Sequence, residues 1–226
     1  MTTDIGALPR PAAVVFDLDG TLVDTVETRI AAWIETFEEI GMPIDRDTLV
    51  PLIGLDGRRL AREIAALAGQ PIDFDRSEAI DKRSGEIYER RNADPTPLPG
   101  VRELIGAIEA ADLPWSIATS SRKDQVGTSV DALGLDREPR IVDASHVKHA
   151  KPEPDLLLRA AEELDVDPGR CWYIGDSTWD MVAAAAAGMI PIGVTAGAAV
   201  DANALQDAGA AAVVETLHEV AAALGT

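Results

Sequence analysis

Two carboxylates, Asp17 and Asp19, stand two positions apart just after the apolar run Ala12-Ala13-Val14-Val15-Phe16, and Gly20-Thr21 follows them. A short unbroken apolar run of this kind reads as a strand buried in a parallel sheet. Open α/β sheets bind ligands at the carboxyl ends of such strands. The two-residue period of a strand points both side chains the same way. Carboxylates sharing a pocket repel unless a cation, a proton or a phosphoryl group comes between them. A solvated turn is the alternative, since Asp-Gly alone is a common turn signal. Three further polar clusters weigh against it: Thr119-Ser120-Ser121, Lys151, and Asp176 with Asp180. Separately they read as a helix cap, a solvated loop lysine, and a cap with an exposed helix residue. Recurring together after predicted strands, with Lys151 the exception in the loop that opens the next helix, they exceed what capping explains.

The chemistry these residue types suit is phosphoryl transfer, which depends on positioning and on neutralising the phosphoryl oxygens. Thr119 and the backbone N–H groups after it suit those oxygens at a helix N-terminus, and Lys151 adds a positive charge. Carboxylates of Asp17 and Asp176, with Asp180 a further candidate, suit Mg²⁺, a hard cation that takes oxygen ligands. A carboxylate nucleophile gives an aspartyl-phosphate intermediate. Asp19 is placed to protonate a leaving alcohol and then to deprotonate the attacking water.

Alternating elements must carry these clusters. After the first strand, helical patterns fill about Thr25 to Asn92. Val26, Ile30, Trp33, Ile34 and Phe37 share one helical face, and Leu60, Ile64 and Leu67 mark a second helix. Ser77–Arg91 is a third. The segment from Ala93 to Gly100, with three prolines, reads as a stiff linker. Beyond it, strands are expected at Trp115–Thr119, Ile141–Asp143, Cys171–Ile174, Met189–Val194 and Ala212–Glu215. Helices are expected at Val101–Ala110, Asp124–Leu133, Pro154–Leu164, Trp179–Ala187 and Leu217–Leu224. This pattern predicts an α/β fold, a Rossmann-like doubly wound parallel sheet with an inserted all-helical region. The expected division is a core of 1–24 and 95–226 and a helical cap of 25–94.

The 226 residues suffice for such a core without staples. The single cysteine, Cys171, excludes an internal disulfide and fits a reducing, cytoplasmic setting. It reads as a buried structural thiol. A net charge of −19 argues against nucleic acid and anionic membrane as partners. The first residues lack the basic start and apolar stretch of a signal peptide. Met181–Val200 is free of charge, but its Ala and Gly content and Pro191 predict a small-residue helix followed by a buried strand rather than a membrane span. Monomer and homodimer both remain open.

The four clusters in order resemble the haloacid dehalogenase superfamily, in particular its phosphatase-like members with a helical cap after the first strand. The motifs stand as Asp17-Leu18-Asp19-Gly20-Thr21, Thr119-Ser120-Ser121, Lys151-Pro152 and Gly175-Asp176 with Asp180. The likeness covers about residues 12–215. It implies Asp17 as nucleophile and Asp19 as general acid and base. It implies Mg²⁺ held by Asp17, Asp176 and the backbone carbonyl of Asp19, with Asp180 direct or behind them. Thr119, the Ser120 backbone and Lys151 would bind phosphate.

The resemblance also separates activities. Dehalogenases lack the second aspartate of the first motif, so Asp19 argues against dehalogenation. Phosphonatases need a cap lysine, and Lys82, the one lysine of the cap, lies late in a polar helix. The expected activity is hydrolysis of a small-molecule phosphate ester, phosphoglycolate-like or a sugar phosphate. A phosphosugar mutase similar to β-phosphoglucomutase is the alternative, and Thr21 leans towards a hydrolase. A non-catalytic binding protein on this fold is a third reading, opposed by the full set of catalytic side chains. In the cap, Gly54 and Gly57 allow close backbone approach, and Arg58 is a candidate contact to the leaving group. The competing expectation is a solvated Arg58 with an exposed Arg59–Glu63 pair.

Overall fold

The computed structural model describes residues 4–225. Strand β1 (Ala13–Phe16) lies between β2 (Trp115–Ala118) and β4 (Cys171–Gly175), all parallel. Short β3 (Ile141–Val142) extends one side, and β5 (Ile190–Val194) and β6 (Ala212–Val214) the other, giving the order β3-β2-β1-β4-β5-β6. The chain leaves β1 towards β2 and leaves β4 towards β5. The adjacent pair β1 and β4 is therefore the topological switch point, where a crevice opens beyond the strand ends.

All four β1 side chains are buried, and they alternate between the two faces of the sheet. Val14 and Phe16 join a core with residues of α5 (Val101–Ala110) and α10 (Leu217–Gly225). Ala13 and Val15 join a second core with Leu156, Leu157 and Ala160 of α7 (Asp155–Leu164) and Ala183 and Ala184 of α8 (Thr178–Ala187). Small residues on α7 and α8 let both helices lie close to the sheet. The uncharged stretch 181–200 divides into the end of α8, β5 and a following turn, as its composition predicts. Among the described residues, no helix is long and apolar enough to cross a membrane.

Between β1 and α5 the described elements are all helical: α1 (Val26–Glu39), α2 (Arg46–Leu49), α3 (Gly57–Leu67) and α4 (Phe74–Arg91), with one 3₁₀ turn at Val50–Leu52. Val26, Ile30, Trp33 and Phe37 of α1 pack with Leu60 and Ile64 of α3 and Ile80 of α4. Asp56 caps α3 by accepting from Arg59 N at 3.1 Å. Leu67 is 70% exposed, so the apolar face of α3 ends one turn early. Asp73 caps α4 and starts it three residues before the expected Ser77. The remaining helices are α6 (Lys123–Ala132) and α9 (Ala202–Asp207). Composition did not reveal α2 or α9, each too short to develop a helical period.

Candidate active site

Where β1 and β4 end side by side, Asp17, Thr119, Lys151, Asp176 and Asp180 converge, each at most 3% exposed. Asp17 N donates to Ile174 O at 2.9 Å, so the sheet ladder continues to the first carboxylate and fixes where it points. Gly20, at φ 79°, turns the chain beneath Asp176; a Cβ there would lie 2.2 Å from Asp176 Oδ2. Glycine is required by conformation and by space alike. Thr21 Oγ1 donates to Asp176 Oδ1 at 2.9 Å, tying the loops after β1 and β4 together.

Lys151 is fully buried, not a solvated loop lysine. Its Nζ donates to Asp180 Oδ1 at 2.7 Å and to the Tyr173 hydroxyl at 3.3 Å. It also forms a buried ion pair with Asp17, at 2.8 Å from Oδ1. Burial pushes the Asp17 carboxyl up, against the pull of Lys151, to about 7. Burial, then the nearby Asp180 and Asp17, raises Asp176 well above the usual carboxylate range. Burial alone would lower the Lys151 ammonium; Asp17 and Asp180 prevail and raise it.

Asp17, Asp176 and Asp180 each bring one carboxylate oxygen within 4.8 Å of the others. Three carboxylates around one ammonium leave surplus negative charge. This set fits a hard, oxygen-seeking cation. Asp180 has the least to offer it. Its Oδ1 accepts from Lys151 and Tyr173, and its Oδ2 from the Ser177 amide at 3.0 Å and hydroxyl at 2.6 Å. Both oxygens are engaged in holding Lys151 and the start of α8.

Asp19 differs from Asp17 in surroundings. Its Oδ1 accepts from Thr25 Oγ1 and the Tyr88 hydroxyl, each at 2.7 Å. Its Oδ2 accepts from Ser121 Oγ at 2.6 Å and Arg29 Nη2 at 2.9 Å. Burial pushes this carboxyl up, but Arg29 and the three hydroxyls outweigh it and hold the group at about 2. The Asp19 carboxylate is thus ionised and lies outside the acidic cluster of Asp17, Asp176 and Asp180. Arg29 and Tyr88 come from α1 and α4, and the guanidinium carbon sits 3.4 Å above the Tyr88 ring. Both helices therefore reach the carboxylate that follows β1.

Thr119, Ser120 and Ser121 do not cap the next helix; Arg122 occupies that position. Thr119 Oγ1 accepts from Ser121 N at 3.2 Å, which shapes the loop. The cleft they line, with Asp17, Asp19, Lys151 and Asp176, encloses about 60 Å³. Gly54 faces it, and Ser120 Oγ donates to Gly54 O at 3.3 Å. Asp56 N donates to Lys151 O at 2.9 Å, a second link between helical segment and sheet. Arg58 does not line this cleft. It folds back on Asp56, at 2.6 Å, which also satisfies the N-cap. Arg59 and Glu63 form the looser pair at 3.9 Å.

Trp179 does not line the cleft; its Nε1 donates to Pro51 O at 2.9 Å. Cys171 is buried, and burial pushes its thiol up to about 11, as befits a structural residue. Residues that sequence reasoning left aside complete the cleft: Arg29, Trp33, Asp81 and Gln125 line it, and Tyr88 backs Asp19. For Arg29 there was a signal. Val26, Arg29 and Trp33 fall three and four apart, so Arg29 shares the face of buried residues.

A family model described as haloacid dehalogenase-like hydrolase matches residues 14–194. A β-phosphoglucomutase of Bacillus subtilis is 32% identical over 190 residues, covering 82% of this chain and 84% of that one. An N-acetylmuramic acid 6-phosphate phosphatase of Pseudomonas putida is 33% identical over 174 residues, covering 76% and 77%. A crystal structure of a hydrolase from Pseudomonas syringae superposes with a TM-score of 0.87 at 32% identity, covering 92% of this chain and 95% of that one.

Proposed function

The chain belongs to the haloacid dehalogenase-like hydrolase family, and on that premise we propose that it is a Mg²⁺-dependent phosphatase that hydrolyses a small-molecule phosphomonoester through an aspartyl-phosphate on Asp17. Residues 25–94 are the cap over a core of 1–24 and 95–226. The single buried cysteine supports a cytoplasmic setting.

One contrast carries the reading. Asp17 is buried with the Lys151 ammonium 2.8 Å from its Oδ1 and few other partners, while Asp19, two residues on, is ionised and held by four donors. A nucleophile needs a free lone pair, and a general base needs a charge held in place. Asp17 attacks phosphorus, and the bond to the leaving oxygen breaks. Lys151, Thr119 and the Ser120 amide bind the phosphoryl oxygens. Asp17, Asp176 and the backbone carbonyl of Asp19 would hold Mg²⁺, with Asp180 fixing Lys151 behind them. When bound, Mg²⁺ supplies positive charge against which a carboxylate can approach a phosphate dianion. Asp19 gives a proton to the leaving alcohol, then takes one from the water that attacks the aspartyl-phosphate. As found here, ionised and caged, it is set for the second role. The first requires Asp19 to take up a proton from solvent before the leaving group departs, with its Arg29 and Tyr88 contacts loosened; the proton it later takes from the attacking water restores that state for the next turnover. Thr21 supports the hydrolase over the mutase by its residue type, a bulky aliphatic being more usual there in the similar mutases.

The test is phosphate release from a panel of phosphomonoesters, with and without Mg²⁺, for the wild type and Asp17→Asn. Mg²⁺-dependent release that the variant loses is the expected result. Release without Mg²⁺, or release retained by Asp17→Asn, would contradict the proposal. A wild type that instead isomerises glucose 1-phosphate with a bisphosphate primer would be a mutase.

A further inference from the structure

The enclosed cleft continues into a second cavity of about 190 Å³, and the two share Gly57, Asp81 and Ser120. The phosphoryl-binding groups lie in the first. The second is lined by charged side chains that already pair with each other: Arg58 with Asp56 at 2.6 Å, and Arg122 with Glu78 at 2.6 Å and Asp81 at 2.8 Å. In the first cleft Arg29 is likewise matched by Asp19 at 2.9 Å. Among the described lining residues every cation already faces a carboxylate, Lys151 included, and Lys151 serves the phosphoryl group, so none is left for a second anionic group on a substrate.

Asp81 stands at the junction. Its Oδ2 accepts from Arg122 Nε at 2.9 Å, no hydrogen bond to its Oδ1 is found among the described residues, and the side chain lines both cavities. It reaches this position because residue 57 is glycine: a Cβ there would lie 1.9 Å from Asp81 Oδ1. A carboxylate oxygen with spare lone pairs accepts hydroxyl hydrogens and repels anions.

We propose that Asp81 is a specificity-determining residue that accepts hydrogen bonds from the hydroxyls of an uncharged, polyhydroxylated leaving group passing between Gly57 and Ser120. Resting on the phosphatase reading, this selects sugar and polyol phosphates over phosphoglycolate. A leaving group with its own carboxylate meets Asp81, whose partner Arg122 is shared with Glu78, and finds no unpaired cation beside it. A site built to bond a hydroxyl discriminates strongly, because its polar group is otherwise left unpaired.

The experiment compares KM and kcat for glucose 6-phosphate, fructose 1-phosphate and sorbitol 6-phosphate with those for phosphoglycolate. Wild type, Asp81→Asn and Gly57→Ala are assayed with Mg²⁺, and p-nitrophenyl phosphate reports phosphatase activity as such. The wild type favours at least one hydroxylated ester over phosphoglycolate by tenfold or more in kcat/KM. Asp81→Asn raises KM for that ester about tenfold, the worth of one charge-assisted hydrogen bond, and lowers KM for phosphoglycolate. Gly57→Ala keeps the charge but displaces the carboxylate, and raises KM for the hydroxylated ester too. These opposite movements separate a specificity role from a structural one. Preference for phosphoglycolate in the wild type overturns the assignment, as does a change of both KM values in one direction in Asp81→Asn. Hydrolysis of p-nitrophenyl phosphate alongside either result leaves the phosphatase reading standing. No hydrolysis of any ester overturns both.

Discussion

Arg29 Nη2 stands 2.9 Å from Asp19 Oδ2, both side chains at most 15% exposed. A residue of the helical segment thereby holds the charge on a carboxylate that belongs to the sheet. The same guanidinium donates to Ser121 Oγ at 2.8 Å and Gln125 Oε1 at 3.0 Å. It therefore bridges α1, the loop after β1 and the loop after β2.

Arg29→Ala removes the main partner of Asp19 and leaves three hydroxyls around a buried carboxylate. Leaving one member of a buried pair alone costs about 3–5 kcal/mol. The Asp19 pKa rises from about 2. Asp19 then loses its base form at a higher pH than in the wild type, so activity falls further at acid pH. Arg29→Lys rescues little of this, because an ammonium cannot fork to three acceptors in the guanidinium's geometry. A pH–rate profile and a thermal melt check both parts.

The metal-free protein should lose stability as pH rises from about 4 to 7. Asp17 has a folded-state pKa of about 7 against 3.8 unfolded, so the folded state binds the extra proton across that window. Stability falls wherever the unfolded state binds fewer protons. Asp176 is shifted the same way. The expected result is a Tm that drops by several degrees between pH 5 and pH 8 without Mg²⁺. Added Mg²⁺ raises Tm more at pH 8 than at pH 5, and Asp17→Asn flattens the slope. Asp19 acts in the opposite sense at lower pH. Its depressed pKa contributes stability above about 3.8, of order 2 kcal/mol, which is lost as pH falls towards 2.

Lys151→Met leaves Asp17 and Asp180 buried without their cation. The expected cost is about 3–5 kcal/mol, with loss of phosphate release and of competitive inhibition by inorganic phosphate. Denaturant unfolding and an inhibition assay with phosphate report the two effects.

Gly20→Ala meets Asp176 Oδ2 at 2.2 Å and takes a φ of 79°. The backbone term alone costs roughly 1–2 kcal/mol. Displacing Asp176 weakens Mg²⁺ binding, so the Mg²⁺ concentration for half-maximal activity rises while phosphate inhibition is kept. Titration of activity with Mg²⁺ measures it.

The sheet and its polar strand ends were legible in the sequence because Asp17, Thr119 and Asp176 each follow a short apolar run, and parallel strands aim their ends at one crevice; Lys151, in the loop that opens α7, was legible only from its motif. Gly20, Thr21 and Lys151 belonged to recognisable motifs. Arg29, Asp81, Tyr88 and Gln125 did not. Arg29 does share the spacing of the buried face of α1, but spacing does not say that this face meets a cleft; for Asp81 and Tyr88 on α4 and Gln125 on α6 only packing of the helices shows it. Arg58 shows the converse: its type and place invited a substrate contact, yet the N-cap Asp56 beside it takes the guanidinium. Local pairing of that kind has no period to read.

The most direct test of the central claim is chemical trapping of the aspartyl-phosphate. Wild-type enzyme turning over a phosphomonoester with Mg²⁺ is quenched with borohydride, which reduces an acyl phosphate to the alcohol, and its peptides are analysed by mass. The account predicts homoserine at position 17, dependent on substrate and Mg²⁺. Reduction at another aspartate, or active turnover with position 17 unmodified, would contradict it.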